Sequence, residues 1–218
     1  MATTWDAWDD DVISEVPGAL PEFVRNSVML SAIDFCTRAW VWLVDQGPIV
    51  VVAGTALYPW VPPATSDVVH VLQAWLDKKQ LVPKTRNELS EMYGDYMRFD
   101  GAAMYFIQDV PSALILVPKP TSSSAIAVPQ VDGITAKIAV CPTLGAASFG
   151  SDEIASHYFE EIGRGAKARL LVMARKPWTD VTRGQDLQAQ FDDDIATAKT
   201  AVIRSYAGAR IRVRAHFF

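Results

Sequence analysis

Helical periodicity at both ends of the chain, with short β-like segments between them, most constrains the fold. Pro21 opens a helical segment that extends to about Gln46. Its apolar residues recur at helical spacing, on a face wide enough to pack on two or more sides. This face contains Val28, Ala32, Phe35, Ala39 and Trp42, and is widened by Met29, Ile33, Cys36, Trp40 and Leu43. The remaining narrow polar stripe is made of Ser27, Ser31, Asp34 and Arg38.

Two further helices are predicted towards the C-terminal end. Ser151 is expected to cap the first, which continues to Lys176, the residue before a proline. Thr179 or Asp180 is expected to cap the second, which continues to about Tyr206. Each helix has one apolar face, made of Ala155, Phe159, Ile162, Ala166, Leu170 and Met173 in the first and of Leu187, Phe191, Ile195, Ala198 and Val202 in the second.

Between these helices the pattern changes to short β-branched or alternating runs bounded by proline, glycine or serine. The predicted strands are residues 49–52, 57–58, 68–75, 80–82, 103–108, 113–117, 125–131 and 134–141. Strands of this length and spacing are typical of an antiparallel sheet or a small sandwich. Thr85 and Glu88 have the spacing of a capping box, which predicts a short interrupting helix to about Tyr93.

The order helix, strands, helices predicts an α+β fold with an inserted antiparallel β domain. One long N-terminal helix and two C-terminal helices form a helical bundle body, from residues 21–46 and 151–206. Residues 47–150 form the β-rich insertion, and residues 1–20 form an irregular acidic N-terminal segment. Residues 207–218 form an extended, basic C-terminal arm.

Composition excludes several classes of protein. Half of the 218 residues are hydrophobic, which excludes a disordered chain and leaves apolar surface that could lie between subunits. A net charge of −5 argues against nonspecific nucleic-acid binding by the whole chain. No membrane span is predicted, because glycines and prolines interrupt the uncharged stretch 46–66. No secretory signal is predicted at the acidic N-terminus. Cys36 and Cys141 are expected to be buried thiols in a reducing compartment.

No catalytic, cofactor-binding or metal-ligating residues are predicted. The three histidines, His70, His157 and His216, lack the spacing of metal ligands, and no cysteine lies near one of them. The aspartates 192–194 point in different directions on a helix and are expected to form a solvated face. Ser148 lacks the G-x-S-x-G spacing of a nucleophile elbow.

Two glycines stand in the middle of the first C-terminal helix. Gly163, Gly165 and Ala168 match the G-x-G-x-x-A pattern, but a dinucleotide-binding loop must follow a strand and open a helix. Each glycine costs about 1 kcal/mol of helix stability relative to alanine, so it needs a compensating function. Gly163 and Gly165 are therefore predicted to be helix-packing residues at a close crossing with another helix.

The C-terminal arm alternates between basic and apolar residues. From Lys199 onward the charged residues are all basic, whereas the N-terminal region is mostly acidic. Such a strip can add to a partner's sheet edge as a strand. It could instead fold back onto its own β domain, remain a solvated tail, or contact DNA. The predicted binding residues are Arg204, Arg210, Ile211, Arg212, Val213, Arg214, Phe217 and Phe218.

Several motifs, in this order and spacing, resemble those of tailed-bacteriophage head-to-tail adaptor (neck or connector) proteins. They cover residues 23–218, nearly the whole chain. Those in the first half are Asp34-Phe35-Cys36, Trp40, Gly54, Tyr58, Val68, Leu81, Pro83, Thr85 and Glu88-Leu89. Those in the second half are the strand and turn of residues 114–120, Gly165-Ala166, Leu170-Leu171, Lys176-Pro177-Trp178 and Phe191.

The resemblance implies a structural virion protein rather than an enzyme. Members of this family form a ring, usually of twelve copies, that joins the portal to the tail and continues the DNA channel. The implied partners are the portal protein, a tail or nozzle protein, further copies of the chain, and genomic DNA passing without sequence-specific binding. Its location would be the virion neck, after assembly in the bacterial host cytoplasm, and the arm would bind the portal or a neighbouring subunit.

Two other classes of function remain as alternatives. A carbohydrate- or ligand-binding β-sandwich module of a phage tail or fibre would account for the strands and for four aromatic residues, Trp60, Trp75, Tyr93 and Tyr96. It would not account for the long helices at both ends. An enzyme is the third class, and the lack of a recognisable catalytic constellation argues against it. The mass of the protein in solution distinguishes them, because a ring is expected only for the adaptor.

Overall fold

The computed structural model describes residues 3–121, 126–127, 130–131 and 133–204. The chain divides into two compact units. The helical unit takes its described residues from 1–42 and 142–218, and the β unit consists of Leu43–Cys141. The prediction of a mixed α+β fold with antiparallel sheets is confirmed. No helix among the described residues has both the length and the apolarity needed to cross a membrane.

The described residues form six α-helices and two short 3₁₀ helices. The α-helices are α1 (Asp9–Glu15), α2 (Pro21–Ala39), α3 (Arg86–Tyr93), α4 (Asp152–His157), α5 (Phe159–Leu171) and α6 (Val181–Ile203). The 3₁₀ helices are Trp5–Trp8 and Tyr96–Arg98. Helices α2, α5 and α6 pack against one another and form the core of the helical unit.

The strands are mostly short. They are β1 (Thr3–Thr4), β2 (Leu43–Ile49), β3 (Leu57–Pro59), β4 (Ser66–Leu76), β5 (Lys79–Gln80), β6 (Val82–Pro83), β7 (Asp100–Gly101), β8 (Tyr105–Val110), β9 (Ala113–Val117), β10 (Lys119–Pro120), β11 (Ile126–Ala127), β12 (Gln130–Val131), β13 (Ile134–Pro142) and β14 (Ser148–Phe149). Two four-stranded sheets, in the orders β2-β13-β4-β5 and β3-β9-β8-β6, make up the β unit. The short pairs β6–β8 and β7–β10 are parallel, unlike the all-antiparallel expectation.

The first long helix is shorter than predicted. It ends at Ala39 rather than near Gln46, because Trp40 adopts a left-handed conformation with φ of 58°. The apolar run that follows leaves the helix, and residues 43–49 form β2, which pairs with β13. The strand predicted at residues 49–52 is therefore wrong in position, because the observed strand β2 covers Leu43–Ile49. Two members of the predicted polar stripe, Ser27 and Ser31, are also buried, at 1% and 0% exposure.

The single helix predicted from Ser151 to Lys176 is two shorter helices in the structure. A break at Tyr158 divides it into α4 and α5, and α5 ends at Leu171. The side chain of Ser151 makes no capping hydrogen bond. By contrast, Asp180 caps α6 as predicted, because its carboxylate accepts a hydrogen bond from the backbone N–H of Arg183 at 3.1 Å.

The capping box of α3 is confirmed. The Glu88 carboxylate accepts from the Thr85 backbone N–H at 2.8 Å, and the Thr85 hydroxyl accepts from the Glu88 N–H at 3.3 Å. The Thr85 backbone hydrogen bond, with those of Lys84 and the Thr85 hydroxyl, lowers the pKa of Glu88 to about 2. Leu89 of this helix is buried on the sheet against a cluster made of Ile107, Ile115 and Val117.

The N-terminal segment is helical, which corrects the expectation of an irregular segment over residues 1–20. Trp8 is fully buried, stacks on Phe159 with ring centroids 4.7 Å apart, and donates from its indole N–H to the Phe159 carbonyl at 2.8 Å. The Trp5 indole N–H donates to the Ala146 carbonyl at 2.6 Å. Strand β1 pairs with β14, so the start of the described chain is held to a segment far along the sequence.

Candidate interaction surfaces

Gly165 lies at the point where α5 packs against α2 and α6. A Cβ atom on this residue would contact the Ser31 hydroxyl and would lie 2.7 Å from Cε2 of Phe191. Ser31 comes from α2 and Phe191 from α6, and both side chains are fully buried. The Ser31 hydroxyl donates to the Ile162 carbonyl at 2.9 Å, which fixes it in this position. Only glycine leaves enough space for this three-helix crossing.

Gly163 faces a different neighbour, the N-terminal segment. A Cβ atom there would lie 2.8 Å from a carboxylate oxygen of Asp11 and 3.4 Å from Cδ1 of Trp8. Asp11 belongs to α1, so this glycine accommodates the short N-terminal helix rather than a long one. Gly165 therefore admits α2 and α6, whereas Gly163 admits α1.

A buried lysine joins α1 to α5. Lys167 is 7% exposed, and its ammonium group donates to Asp11 at 3.0 Å and to Glu15 at 2.7 Å. Arg183 of α6 reaches the second carboxylate oxygen of Glu15 at 2.5 Å. The Asp11, Glu15 and Lys167 side chains line a polar cleft of about 240 Å³ together with Glu160, Arg164 and Leu187.

The charges in this cluster are mutually stabilising. Burial would lower the pKa of Lys167, but its hydrogen bonds to Glu15 and Asp11 outweigh burial, and the pKa is raised. The hydrogen bond from Lys167 is also the main cause that lowers the pKa of Glu15. Both shifts favour the ionised pair, so the cluster fastens the N-terminal segment to the bundle.

Asp192 and Asp193 are exposed, in agreement with the expected solvated face, and Asp194 is half-buried. Two of the three also form ion pairs with other helices. Asp192 pairs with Arg38 at 2.6 Å, and Asp194 pairs with Arg164. Arg38 also pairs with Asp34, four residues earlier on the same helix, at 3.8 Å. These contacts tie α6 to α2 and α5, so the acidic run contributes to the register of the bundle.

The last described residues of α6 are exposed. Arg204 follows the helix on the surface, and Ile203 before it is 54% exposed. One turn earlier, the Lys199 ammonium group lies 3.9 Å from the centroid of the Trp40 ring. The other predicted binding residues lie outside the described residues; they are Arg210, Ile211, Arg212, Val213, Arg214, Phe217 and Phe218.

Three large apolar side chains at helix ends of the helical unit are exposed, and together they are here called the bundle-end patch. They are Leu20, Val172 and Val181, which are 58%, 46% and 49% exposed and lie beside the starts of α2 and α6 and the end of α5. Close to them in the sequence, the rings of Phe23 and Trp178 have centroids 6.2 Å apart.

A second apolar surface, here called the methionine patch, lies on the β unit. It consists of Met92, Met97, Phe99 and Met104, which are 42–58% exposed. Tyr93 lies among them, with its ring centroid 5.3 Å from that of Phe99. Exposed methionine and phenylalanine side chains are typical of an adaptable protein contact.

The four aromatic residues of the carbohydrate-module alternative do not form one surface. Trp60 is buried, and Tyr93 and Tyr96 pack against the cluster beneath α3. Only Trp75 lines a cleft, together with residues 45–48 of β2 and 135–136 of β13. Three of the four residues are thus accounted for by packing.

Among the described residues, no group of three or more histidine, cysteine, aspartate or glutamate side chains could hold a metal ion. Cys36 and Cys141 are buried, as expected. Ser148 belongs to β14, which pairs with β1. Gly150, two residues later, packs on the Trp42 ring.

Comparison with known proteins adds no assignment. No family model matches the chain, and no curated protein matches it. The candidate sites therefore rest on the sequence motifs and on the geometry described above.

Proposed function

We propose that the protein is a subunit of a virion adaptor ring that joins a phage portal to the tail and continues the DNA channel. The observation that carries the proposal is the presence of two different exposed apolar patches. The bundle-end patch belongs to the helical unit and the methionine patch to the β unit. The family resemblance of the sequence motifs supplies the particular assembly.

Ring formation requires this kind of surface. A ring is made by head-to-tail contacts, in which each subunit offers one surface to the neighbour on each side, and these two surfaces differ. Exposed apolar patches of this kind mark interaction sites in soluble proteins. A single patch would be sufficient for a symmetric dimer, whereas two distinct patches suit a closed ring.

The proposed architecture is a helical bundle body with an inserted β domain and a C-terminal arm. Support comes from the helical unit, which takes residues from both ends of the chain, and from the exposed Arg204 at the end of α6. The arm engages the portal or a neighbouring subunit. The net charge of −5 supports a channel wall of acidic or mixed character, along which DNA passes without adhering.

The test is the mass of the assembly, measured alone and with purified portal protein by light scattering and negative-stain microscopy. We expect a ring of about twelve copies, either free or on the portal. Leu20→Glu and Phe99→Glu each place a charge in one patch and are expected to reduce ring formation at least tenfold. Leu144→Glu is the matched control, because Leu144 is 73% exposed and lies outside both patches.

Two results would contradict the proposal. One is a protein that remains monomeric at all concentrations with and without portal. The other is a ring that forms equally well from both patch variants and from the control. Truncation after Ala207 tests the arm separately, because the shortened chain is expected to lose portal affinity while keeping its melting temperature.

A further inference from the structure

A cleft of about 300 Å³ is lined by residues of three strands of the sheet β2-β13-β4-β5. Three adjacent strands contribute side chains to it: Asp45 from β2, Thr135 from β13 and Trp75 from β4. Its volume lies at the lower end of the range for small-molecule sites, about 300–1,000 Å³. The proposed adaptor ring does not involve this cleft.

Strand register explains why these side chains meet. Lys137 of β13 lies directly opposite Asp45 of β2, and the two form an ion pair at 3.6 Å. Thr135 stands two residues before Lys137 and therefore projects from the same face. The intervening Ala136, which is 2% exposed, also borders the cleft. The cleft therefore lies beside β2, an outer strand of this sheet, and combines exposed and buried residues.

A local irregularity shapes the floor of the cleft. The pairing of β13 with β2 shifts between Ile134 and Ala136, next to Gly47. A Cβ atom on Gly47 would lie 2.7 Å from the Ile134 carbonyl oxygen and 3.0 Å from the Thr135 Cα atom. With φ of 127°, this position also favours glycine. Gly47 therefore allows the two strands to approach closely at the bulge and leaves Thr135 exposed.

We propose that this cleft binds a neutral saccharide. The half-buried Trp75 ring offers an apolar platform whose electron-rich face suits the C–H groups of a pyranose ring. The Asp45 carboxylate accepts hydrogen bonds from sugar hydroxyls, and the Thr135 hydroxyl donates to them. Lys137 does not line the cleft, but its ammonium group lies 3.6 Å from the Asp45 carboxylate at its margin and adds a further donor. An aromatic platform edged by both donors and acceptors matches a polyhydroxylated ring better than other ligands.

Other ligand classes fit the cleft less well. A purely apolar ligand would desolvate Asp45 and Lys137 without satisfying them, which is unfavourable. An anion would meet the Asp45 carboxylate, 83% exposed, as well as the lysine. The inference goes beyond the proposed function and does not depend on ring assembly, because all of the residues belong to the β unit.

The experiment is calorimetric titration with neutral hexasaccharides of glucose, galactose, mannose and N-acetylglucosamine, at up to about 10 mM. Wild-type protein is expected to bind at least one of them with a Kd in the millimolar range or below. Trp75→Ala is expected to weaken that binding at least tenfold, and Trp75→Phe to restore most of it, since the platform is what matters. Asp45→Ala is expected to weaken binding about fivefold.

Leu57→Ala is the control, because it removes a half-exposed apolar side chain of the same unit outside the cleft and outside both patches. Its affinity should equal that of the wild type. Absence of binding to every saccharide, or equal affinity of Trp75→Ala and wild type, overturns the proposal. Loss of affinity in Trp75→Ala accompanied by the same loss in Leu57→Ala also overturns it. The oligomeric state of the same samples reports separately on the proposed ring.

Discussion

Replacing Gly165 with alanine tests the three-helix crossing with the smallest possible change. The added methyl group would contact the Ser31 hydroxyl and the Phe191 ring, at 2.7 Å from Cε2 and 2.8 Å from Cζ. Both neighbours are fully buried, and Phe191 is one of the largest fully buried side chains. The ring cannot move outward into solvent, so the helices themselves must separate.

The magnitude follows from three contributions. Alanine stabilises a helix interior by about 1 kcal/mol relative to glycine. Overpacking a filled core costs about 1–3 kcal/mol. Rotating the Ser31 hydroxyl away from the new methyl group removes its hydrogen bond to the Ile162 carbonyl, at a cost of about 1 kcal/mol. The sum is a destabilisation of about 1–3 kcal/mol, or a lower melting temperature by about 2–12 °C for a chain of this size.

The assay is thermal unfolding of wild type, Gly165→Ala and Gly163→Ala under identical conditions. Gly163→Ala is the matched control, because it has the same helix-propensity gain two residues away. Its methyl group meets the end of the Asp11 side chain, which is 39% exposed and can rotate into solvent. We expect the stability of this control to lie within about 1 kcal/mol of the wild type.

The reasoning is refuted if Gly165→Ala melts at or above the temperature of Gly163→Ala. A double-mutant cycle with Ser31→Ala locates the clash, because contacting residues show non-additive effects. Ser31→Ala is expected to recover part of the stability lost in Gly165→Ala. Additive effects of the two substitutions would mean that Ser31 is not the residue that the methyl group displaces.

The remaining predictions concern ion pairs and helix caps, all measured by urea unfolding. Lys167→Met should destabilise by about 1–2 kcal/mol, below the cost for a fully buried pair because Asp11 and Glu15 are about 40% exposed. Because folding lowers the pKa of Glu15, its carboxylate stabilises the folded protein above the ordinary pKa of 4.5, and this stabilisation is lost as the pH falls through the lower pKa of the folded state. Lys167→Met should make the free energy of unfolding depend less on pH in this acidic range. Thr85→Ala and Asp180→Ala should each lower the free energy of unfolding by about 1 kcal/mol, because each removes a helix cap. Unchanged stability in both variants would contradict the capping geometry.

Features governed by neighbouring residues were predictable from the sequence. The α3 capping box depends on groups three residues apart, and the Asp180 cap depends on a backbone N–H three residues later. The spacing of Gly163 and Gly165 in a helical pattern was sufficient to place a close contact there. The identity of the contacting residues was not predictable, because Ser31 lies more than a hundred positions away.

Features decided by distant residues were missed for the same physical reason. Nothing local ends α2 at Ala39, since the apolar pattern continues through Trp42; pairing of the next residues with β13 is what draws them out of the helix. The apolar residues of the acidic N-terminal segment do not recur at helical spacing. The packing of this segment depends instead on two tryptophans, Trp5 and Trp8. Trp8 is held by Phe159, a contact that no pattern within the first twenty residues indicates.

The return of the N-terminal segment onto α5 also fixes an order of events during synthesis. Trp8 and Asp11 find their partners only after residues 159–167 have been translated, whereas the β unit is one continuous stretch, Leu43–Cys141. Domains fold as units while the ribosome elongates the chain at about 5–20 residues per second. The β unit is therefore complete about 3–12 s before the end of α6 is made. Through that interval Trp8 and Asp11 lack the partners on α5 that hold them in the folded protein.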